Sequence, residues 1–286
     1  MSANQQKQVL PKQHQDRQPG FEYKMTPLPV SVNENYQGSN KLKDKVAIIS
    51  GGDSGIGRSV AIHFAKEGAD IAIIYFDEDQ DANDTKKMVE QEGKACSLFR
   101  GDISHSEFSK DVVKKVMDEH GKIDIVVNNA AVQYPQQNFL QITDDQLEKT
   151  FRTNIFGYFY LTRAALPHLK QGSAIINTSS ITAFQGNESL IDYSSTKGAI
   201  TTFTKSLAKS LVSQGIRVNS VAPGPIWTPL IPASFDENQV ATFGSDTEMR
   251  RPGESSEVAP AYVYLASKDA SYVTGQTIHI NGGKII

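Results

Sequence analysis

The run Val46-Ala47-Ile48-Ile49-Ser50 passes directly into Gly51-Gly52-Asp53-Ser54-Gly55-Ile56-Gly57, and an amphipathic segment, Arg58 to Ala65, follows at once. An apolar strand, a glycine turn and a helix start leave the chain few ways to fold. The strand needs parallel neighbours and the helix needs a sheet face to cover. The rest of the chain supplies both. Strand candidates recur at Val46–Ser50, Ile71–Phe76, Ala95–Arg100, Ile123–Asn128, Ala174–Thr178, Arg217–Val221 and Thr277–Ile280. Helical patterns lie between them, near 56–67, 79–92, 106–120, 144–170, 194–213 and 255–267. Several strands are unbroken Val/Ile/Ala runs, the pattern of strands buried on both faces. This alternation predicts a single α/β domain over residues 41–286: a doubly wound, seven-stranded parallel sheet with helices on both faces.

The glycine turn also carries chemistry. Small residues let the backbone approach an anion, and the N–H groups and dipole of the helix start favour negative charge, so the unit predicts a pyrophosphate site. A tight turn without a ligand is the plainer alternative. The spacing is G-x-x-x-G-x-G at Gly51, Gly55 and Gly57, and no Gly-Lys-Ser/Thr follows as a Walker loop requires.

A second constellation lies downstream. Tyr193 and Lys197 stand four residues apart in a predicted helix, which stacks a phenol and an ammonium on one face. A cation beside a phenol stabilises the phenolate and makes the tyrosine a usable acid–base group. On its own the pair reads equally well as a surface i,i+4 contact. Ser180, 13 residues upstream, ends a strand candidate, where open α/β sheets keep their ligand crevice.

Taken together, these motifs resemble the short-chain dehydrogenase/reductase superfamily, the bacterial glucose/ribitol dehydrogenase-like members with an N-terminal extension in particular. Ser50 stands where the family usually has Thr before its glycine loop. Gly101-Asp102-Ile103, Asn128-Asn129-Ala130-Ala131 and Pro223-Gly224-Pro225-Ile226-Trp227-Thr228 match further family motifs in order, with Ala131 in place of a glycine. The resemblance covers roughly residues 42–283 and implies a Rossmann-like, NAD(P)-dependent oxidoreductase acting on an alcohol or carbonyl carbon. It implies Asn154, Ser180, Tyr193 and Lys197 as catalytic residues, with Ser180 preferred to Ser179. In that scheme Tyr193 is the general base in oxidation and acid in reduction, Ser180 holds the substrate oxygen, Lys197 lowers the Tyr193 pKa and binds the nicotinamide ribose, and Asn154 positions Lys197 through a water. A buried polar residue at a helix kink is the other reading of Asn154. Cofactor contacts are implied at Gly51, Asp53, Ser54, Gly55, Ile56, Gly57, Tyr75, Phe76, Asp102, Ile103, Asn129, Ala130, Ala131, Tyr193, Lys197, Pro223, Gly224, Ile226 and Thr228.

The acidic run Asp77-Glu78-Asp79 after the second strand would repel a ribose 2′-phosphate, which favours NAD over NADP. Arg58 keeps NADP open, and the same acids are also good helix-start residues. Residues 1–40, rich in Gln, Asn, Lys and Pro, read as an extended or disordered arm, with Phe21, Tyr23, Met25, Leu28 and Val30 available for docking, on a partner subunit for instance. Residues 227–251 read as an irregular substrate lid. It holds no basic cluster for an acidic carrier, which favours a small neutral polyol, sugar or ketone.

A net charge of −3 gives no case for nucleic acid, and no apolar run approaches the roughly 18–20 residues of a spanning helix. Cys96 is the only cysteine, which excludes an internal disulfide and a cysteine-rich zinc site; no metal is expected. The N-terminus lacks a secretory apolar core, so a cytoplasmic enzyme is expected. The apolar residues Ala199, Ile200, Phe203 and Leu207 suggest a helix face for packing in a homo-oligomer, a tetramer by resemblance, or equally the helix's own sheet-facing side. A dinucleotide-binding redox sensor on the same fold is the alternative function, and a scaffold role for the arm a third.

Overall fold

The computed structural model describes residues 7–285. Seven strands, β1 (Val46–Ser50), β2 (Asp70–Tyr75), β3 (Cys96–Arg100), β4 (Ile125–Asn128), β5 (Ala174–Thr178), β6 (Arg217–Pro223) and β7 (Thr277–Ile280), form one parallel sheet in the order β3-β2-β1-β4-β5-β6-β7. Nine α-helices lie among the described residues: α1 (Gly55–Lys66), α2 (Asp79–Gln91), α3 (Ser106–His120), α4 (Asp144–Phe151), α5 (Gly157–Ala165), α6 (Thr182–Gln185), α7 (Ile191–Leu211), α8 (Glu237–Thr242) and α9 (Ser255–Ala266).

The unbroken apolar strands are explained by what covers each face. Alternate residues such as Ala47, Ile49, Ile71, Ile73 and Val127 pack under Val60 and Phe64 of α1 and Val258 and Tyr262 of α9. Their neighbours Val46, Ile48, Ala72, Ile74 and Val126 pack on Val112 and Val116 of α3, Leu161 of α5 and Leu211 of α7. With period-two side chains, a strand covered on both sides has no polar face to show. Cys96 is buried in the first of these cores.

Just before β4, which starts at Ile125 rather than at Ile123, the Asp124 carboxylate stands in for a backbone acceptor. It accepts from the Val46 backbone N–H at 3.0 Å and pairs with Lys45 at 3.0 Å. The single helix expected over 144–170 is broken. Between α4 and α5 runs a π-helical stretch, Arg152–Phe156, and a 3₁₀ turn, Leu166–His168, ends the segment. The irregular lid contains α8, opened by Asp236, whose side chain accepts from the Asn238 and Gln239 amides.

The arm lies on its own chain. Apart from one 3₁₀ turn, Glu22–Lys24, its described part has no regular helix or strand. Leu10 and Met25 join Trp227, Ile231 and Val240 in a small apolar cluster with the lid. Trp227 donates its indole N–H to the Pro27 carbonyl at 2.9 Å, and the Val9 amide donates to the Ala241 carbonyl at 2.8 Å. Of the docking residues named above, Met25 is buried, while Tyr23, Leu28 and Val30 stay largely exposed. No helix among the described residues is long and apolar enough to cross a membrane.

Candidate active site

The chain crosses from one side of the sheet to the other between β1 and β4, and a cleft of about 750 Å³ opens there at the carboxyl ends of the strands. Its walls contain Gly51, Ser54, Gly55, Ile56, Tyr75, Phe76, Asp102, Ile103, Asn129, Ala130, Ala131, Ser180, Tyr193, Lys197, Pro223, Gly224, Ile226 and Thr228. Three of the residues expected in the site, Asp53, Gly57 and Asn154, lie behind those walls.

The glycine loop is built for close approach. Gly51 and Gly55 have φ of +64° and +52°, where side chains are strained, and a Cβ on Gly55 would meet Thr228 at 3.1 Å. Gly57 acts from behind: a Cβ there would lie 1.8 Å from the Gly51 carbonyl oxygen, so it sets how tightly α1 sits against the turn. Ser50 justifies the family's hydroxyl at this position, because its Oγ accepts from the amides of Asn129 at 2.9 Å and Ala130 at 3.2 Å. It thereby locks β4's exit to the loop. Asn129 extends the link, donating to the Gly51 carbonyl at 3.1 Å and accepting from Thr178 Oγ1 at 3.1 Å. Asp53 is a correction. The turn directs its side chain inward, where it is buried, while its carbonyl accepts from Arg58 Nε at 3.0 Å and Thr85 Oγ1 at 2.6 Å. The loop and cleft fit a dinucleotide on these grounds: an approach path only glycine permits, a helix start, and a trough running on to the Tyr193 pair. Gly51, Ser54 and Ile56 would hold its phosphates, the Gly55 amide being taken by the Glu22 carboxylate of the arm, and Tyr75, Phe76 and Asp102 its adenosine end.

At the other end, α7 begins earlier than the helical pattern suggests, which puts Tyr193 in its first turn. Lys197 follows one turn later, with Nζ 5.3 Å from the Tyr193 ring centroid. Both side chains are almost fully buried. Lys197 Nζ donates to the Thr178 carbonyl at 2.9 Å, and burial pulls its pKa down to about 7. Burial pushes the Tyr193 phenol up to about 12, and a hydrogen bond with Ser180 opposes this. Ser179 and Ser180 both line the cleft, but their hydroxyls are engaged differently. Ser179 Oγ is engaged with the Lys197 carbonyl at 3.1 Å and Thr201 Oγ1 at 3.0 Å, inside the α7 packing.

Asn154 is buried behind the cleft wall and makes three side-chain hydrogen bonds. Its Oδ1 accepts from the Val132 amide at 2.9 Å, and its Nδ2 donates to the Val132 carbonyl at 2.9 Å and Thr196 Oγ1 at 3.1 Å. Those bonds use both amide hydrogens and one lone pair of Oδ1, and none is a direct bond to Lys197. The π-helical turn is what swings this residue inward. Asn154 therefore ties the cleft wall at Val132 to the helix that carries the Tyr193 pair.

The arm supplies walls that the motifs did not announce. Gln18, Pro19 and Gly20 line the cleft. Gln18 spans it: Oε1 accepts from the Gln133 amide at 2.9 Å, and Nε2 donates to the Gln133 carbonyl and to Ser234 Oγ at 3.1 Å. A Cβ on Gly20 would meet the Pro229 carbonyl at 2.5 Å, so the arm is pressed against the lid. Beside them, Arg17 pairs with Asp77 and lies 3.4 Å from Glu78 Oε1. The acidic run that favoured NAD is therefore not bare. Asp79 is matched as well, accepting from Arg100 Nη1 and from the Tyr75 hydroxyl, both at 2.9 Å. Arg58 does not reach the cleft; it is buried against Glu22, Asp81 and Thr85.

Known proteins fit this picture. The family model described as enoyl-(acyl carrier protein) reductase matches residues 51–284. An uncharacterized oxidoreductase of Bacillus subtilis, YhdF, is 62% identical over 274 residues, covering 96% of this chain and 95% of that one. Glucose and ribitol dehydrogenase of Daucus carota is 50% identical over 283 residues, covering 97% of each. Among solved structures, a short-chain dehydrogenase from Burkholderia cenocepacia in complex with NADP superposes with a TM-score of 0.80 at 27% identity, covering 85% of this chain and 98% of that one. With the glycine loop, the parallel sheet and the matches across nearly its whole length, the chain belongs to the short-chain dehydrogenase/reductase family of oxidoreductases.

Proposed function

We propose that this protein interconverts an alcohol and a carbonyl on a small polar substrate, with a nicotinamide dinucleotide as the redox partner. The observation that carries the reading is the grouping of Tyr193, Lys197 and Ser180 at one end of a cleft whose other end is the glycine loop. The cofactor supplies the hydride acceptor or donor when bound. The chain handles the proton. Tyr193 gives its phenolic proton to the substrate oxygen in reduction and takes it in oxidation. Ser180 donates to that oxygen and holds it at the phenol. Lys197, when protonated, favours the phenolate by its charge. Asn154 serves as a positioning residue for this group through Val132 and Thr196.

The substrate end of the cleft is lined by Gln185, Asn187, Glu188, Lys149 and Gln239, a mixture of neutral and oppositely charged donors and acceptors. Such a lining suits a polyhydroxylated or simple carbonyl compound, in line with the name of the carrot relative. NAD and NADP are both compatible with the balanced charges after β2, and the Burkholderia relative was crystallised with NADP. Two copies are proposed to pack through α5 and α7, where Phe159, with Phe156 of the preceding π-helical turn, is partly exposed.

The Tyr193→Phe variant tests the central assignment. Turnover should fall by at least about 100-fold, since positioned acid–base groups contribute that much or more, while dinucleotide binding followed by cofactor fluorescence stays within about twofold. Turnover close to that of the parent would sink the assignment.

A further inference from the structure

The arm reaches the one corner of a dinucleotide site where phosphorylated and unphosphorylated cofactors differ. In sheets of this type, the residues just past the second strand meet the adenosine ribose hydroxyls. Here that turn is Phe76-Asp77-Glu78, and Phe76 lines the cleft beside Gln18, Pro19 and Gly20 of the arm. Arg17 stands directly next to this stretch. Its Nε donates to the Pro19 carbonyl at 2.6 Å, its Cζ lies 3.9 Å over the Phe21 ring, and Nη2 faces Asp77 and Glu78. The guanidinium is thus held in place by its own arm and remains 30% exposed. Nη1 has no hydrogen-bond partner among the described residues.

The charges around it are balanced rather than acidic. Arg17 faces Asp77, and Arg100 faces Asp79 from the end of β3. Glu78 is buried, and that burial, together with the Asp53 carboxylate, raises its pKa well above the ordinary carboxylate range, so it tends to keep its proton. On the far side, Arg58 is enclosed with Glu22 and Asp81. Among the described residues, Arg17 and Arg100 both flank this corner with free guanidinium nitrogens; Arg17, just behind the lining residue Gln18, is the one held by its own arm through Pro19 and Phe21, and a planar guanidinium with nitrogens left free is suited to a phosphate.

We propose that Arg17, carried on the N-terminal arm, is a specificity-determining residue that lets the ribose corner take a 2′-phosphorylated adenine dinucleotide. The inference rests on the dinucleotide reading above and adds that a segment outside the nucleotide-binding sheet selects the cofactor. A simple anchoring role for Arg17 would make a different prediction: its loss would loosen the arm and weaken all adenine nucleotides alike.

Calorimetric titration of the full chain with adenosine 2′,5′-bisphosphate and with adenosine 5′-monophosphate separates the two without any turnover. The parent should prefer the bisphosphate. Arg17→Ala should lose on the order of 10–100-fold of its affinity for the bisphosphate, the range of a charge-assisted hydrogen bond, and stay within about twofold for the monophosphate. Arg17→Lys keeps a cation and should retain part of the preference, which preserves the test if the alanine variant folds poorly. Asp77→Asn removes the pairing carboxylate but leaves Arg17, so it should keep or increase the preference. Equal losses for both nucleotides in Arg17→Ala, no preference in the parent, or a lost preference in Asp77→Asn would overturn the proposal. Binding of both nucleotides with no effect of Arg17 strikes this inference alone; binding of neither strikes the dinucleotide reading with it.

Discussion

At the scale of single residues, Lys197 shows a conflict between folding and function. Its ammonium is buried with one carbonyl partner, and desolvation lowers its pKa from 10.5 to about 7. Between these values the unfolded chain binds more protons than the folded one, so stability rises with pH across that window. The penalty is at its full size below about pH 7 and is gone by about 10.5. Lys197→Met should therefore raise the thermal midpoint of the ligand-free protein near pH 6–7, with the gain shrinking as the pH approaches 10.5, while turnover is lost. A lower midpoint at pH 6 would contradict this account. That Tyr193 and Lys197 share a helix face and that Ser180 follows a strand end was legible in the sequence; their grouping as one site came from the family resemblance. The place of Asp53 was not legible, because the direction of its side chain depends on how the turn is wound and on Thr85, which comes from another element. The acidic run after Phe76 reads as bare in the sequence for a similar reason: its counter-charges, Arg17 and Arg100, come from segments far away in the chain.

At the scale of elements, the sheet and its order follow from patterning, since buried strands read as continuous apolar runs and helices alternate with them. The break inside 144–170 did not show. No Pro or Gly-rich stretch marks the π-helical turn, which is tied instead by Asn154 to Val132, 22 residues earlier in the chain. The consequence reaches the surface. Of the α7 residues expected to form an outer apolar face, Ile200 is fully buried against Ile155 and Tyr158 of the same chain. Phe203 instead stacks on Phe159, ring centroids 4.2 Å apart, and Phe156 and Phe159 form the exposed remainder. Replacing Phe159 by Asp should reduce the mass measured by light scattering if copies pack on this face. A parent protein that is already monomeric would remove that proposal.

At the scale of the whole molecule, the arm is an integral part of the structure. It was read as extended or disordered because its composition offers little to bury, yet it needs only a few anchors: Leu10, Met25, the Trp227 indole and the buried Glu22 carboxylate, which accepts from the Gly55 amide at 2.5 Å. Such anchors are invisible in composition because their partners lie in the lid and the glycine loop. Trp227 is the only tryptophan and is fully buried beneath the arm. Deleting residues 1–40 should shift its emission to longer wavelength and lower the thermal midpoint, and an unchanged emission maximum would mean that the arm does not cover it.

The arm's position also bears on how the protein is made. The arm leaves the ribosome well before several of its partners, Trp227, Ala241, Glu254 and Ser256, which lie far later in the chain. Domains begin to fold during synthesis, so the nucleotide-binding sheet can start to assemble while the arm still waits for its seat. A chain interrupted before the lid is translated would expose an arm with nowhere to dock, and the arm can close the cleft only once Trp227 and Ala241 have emerged.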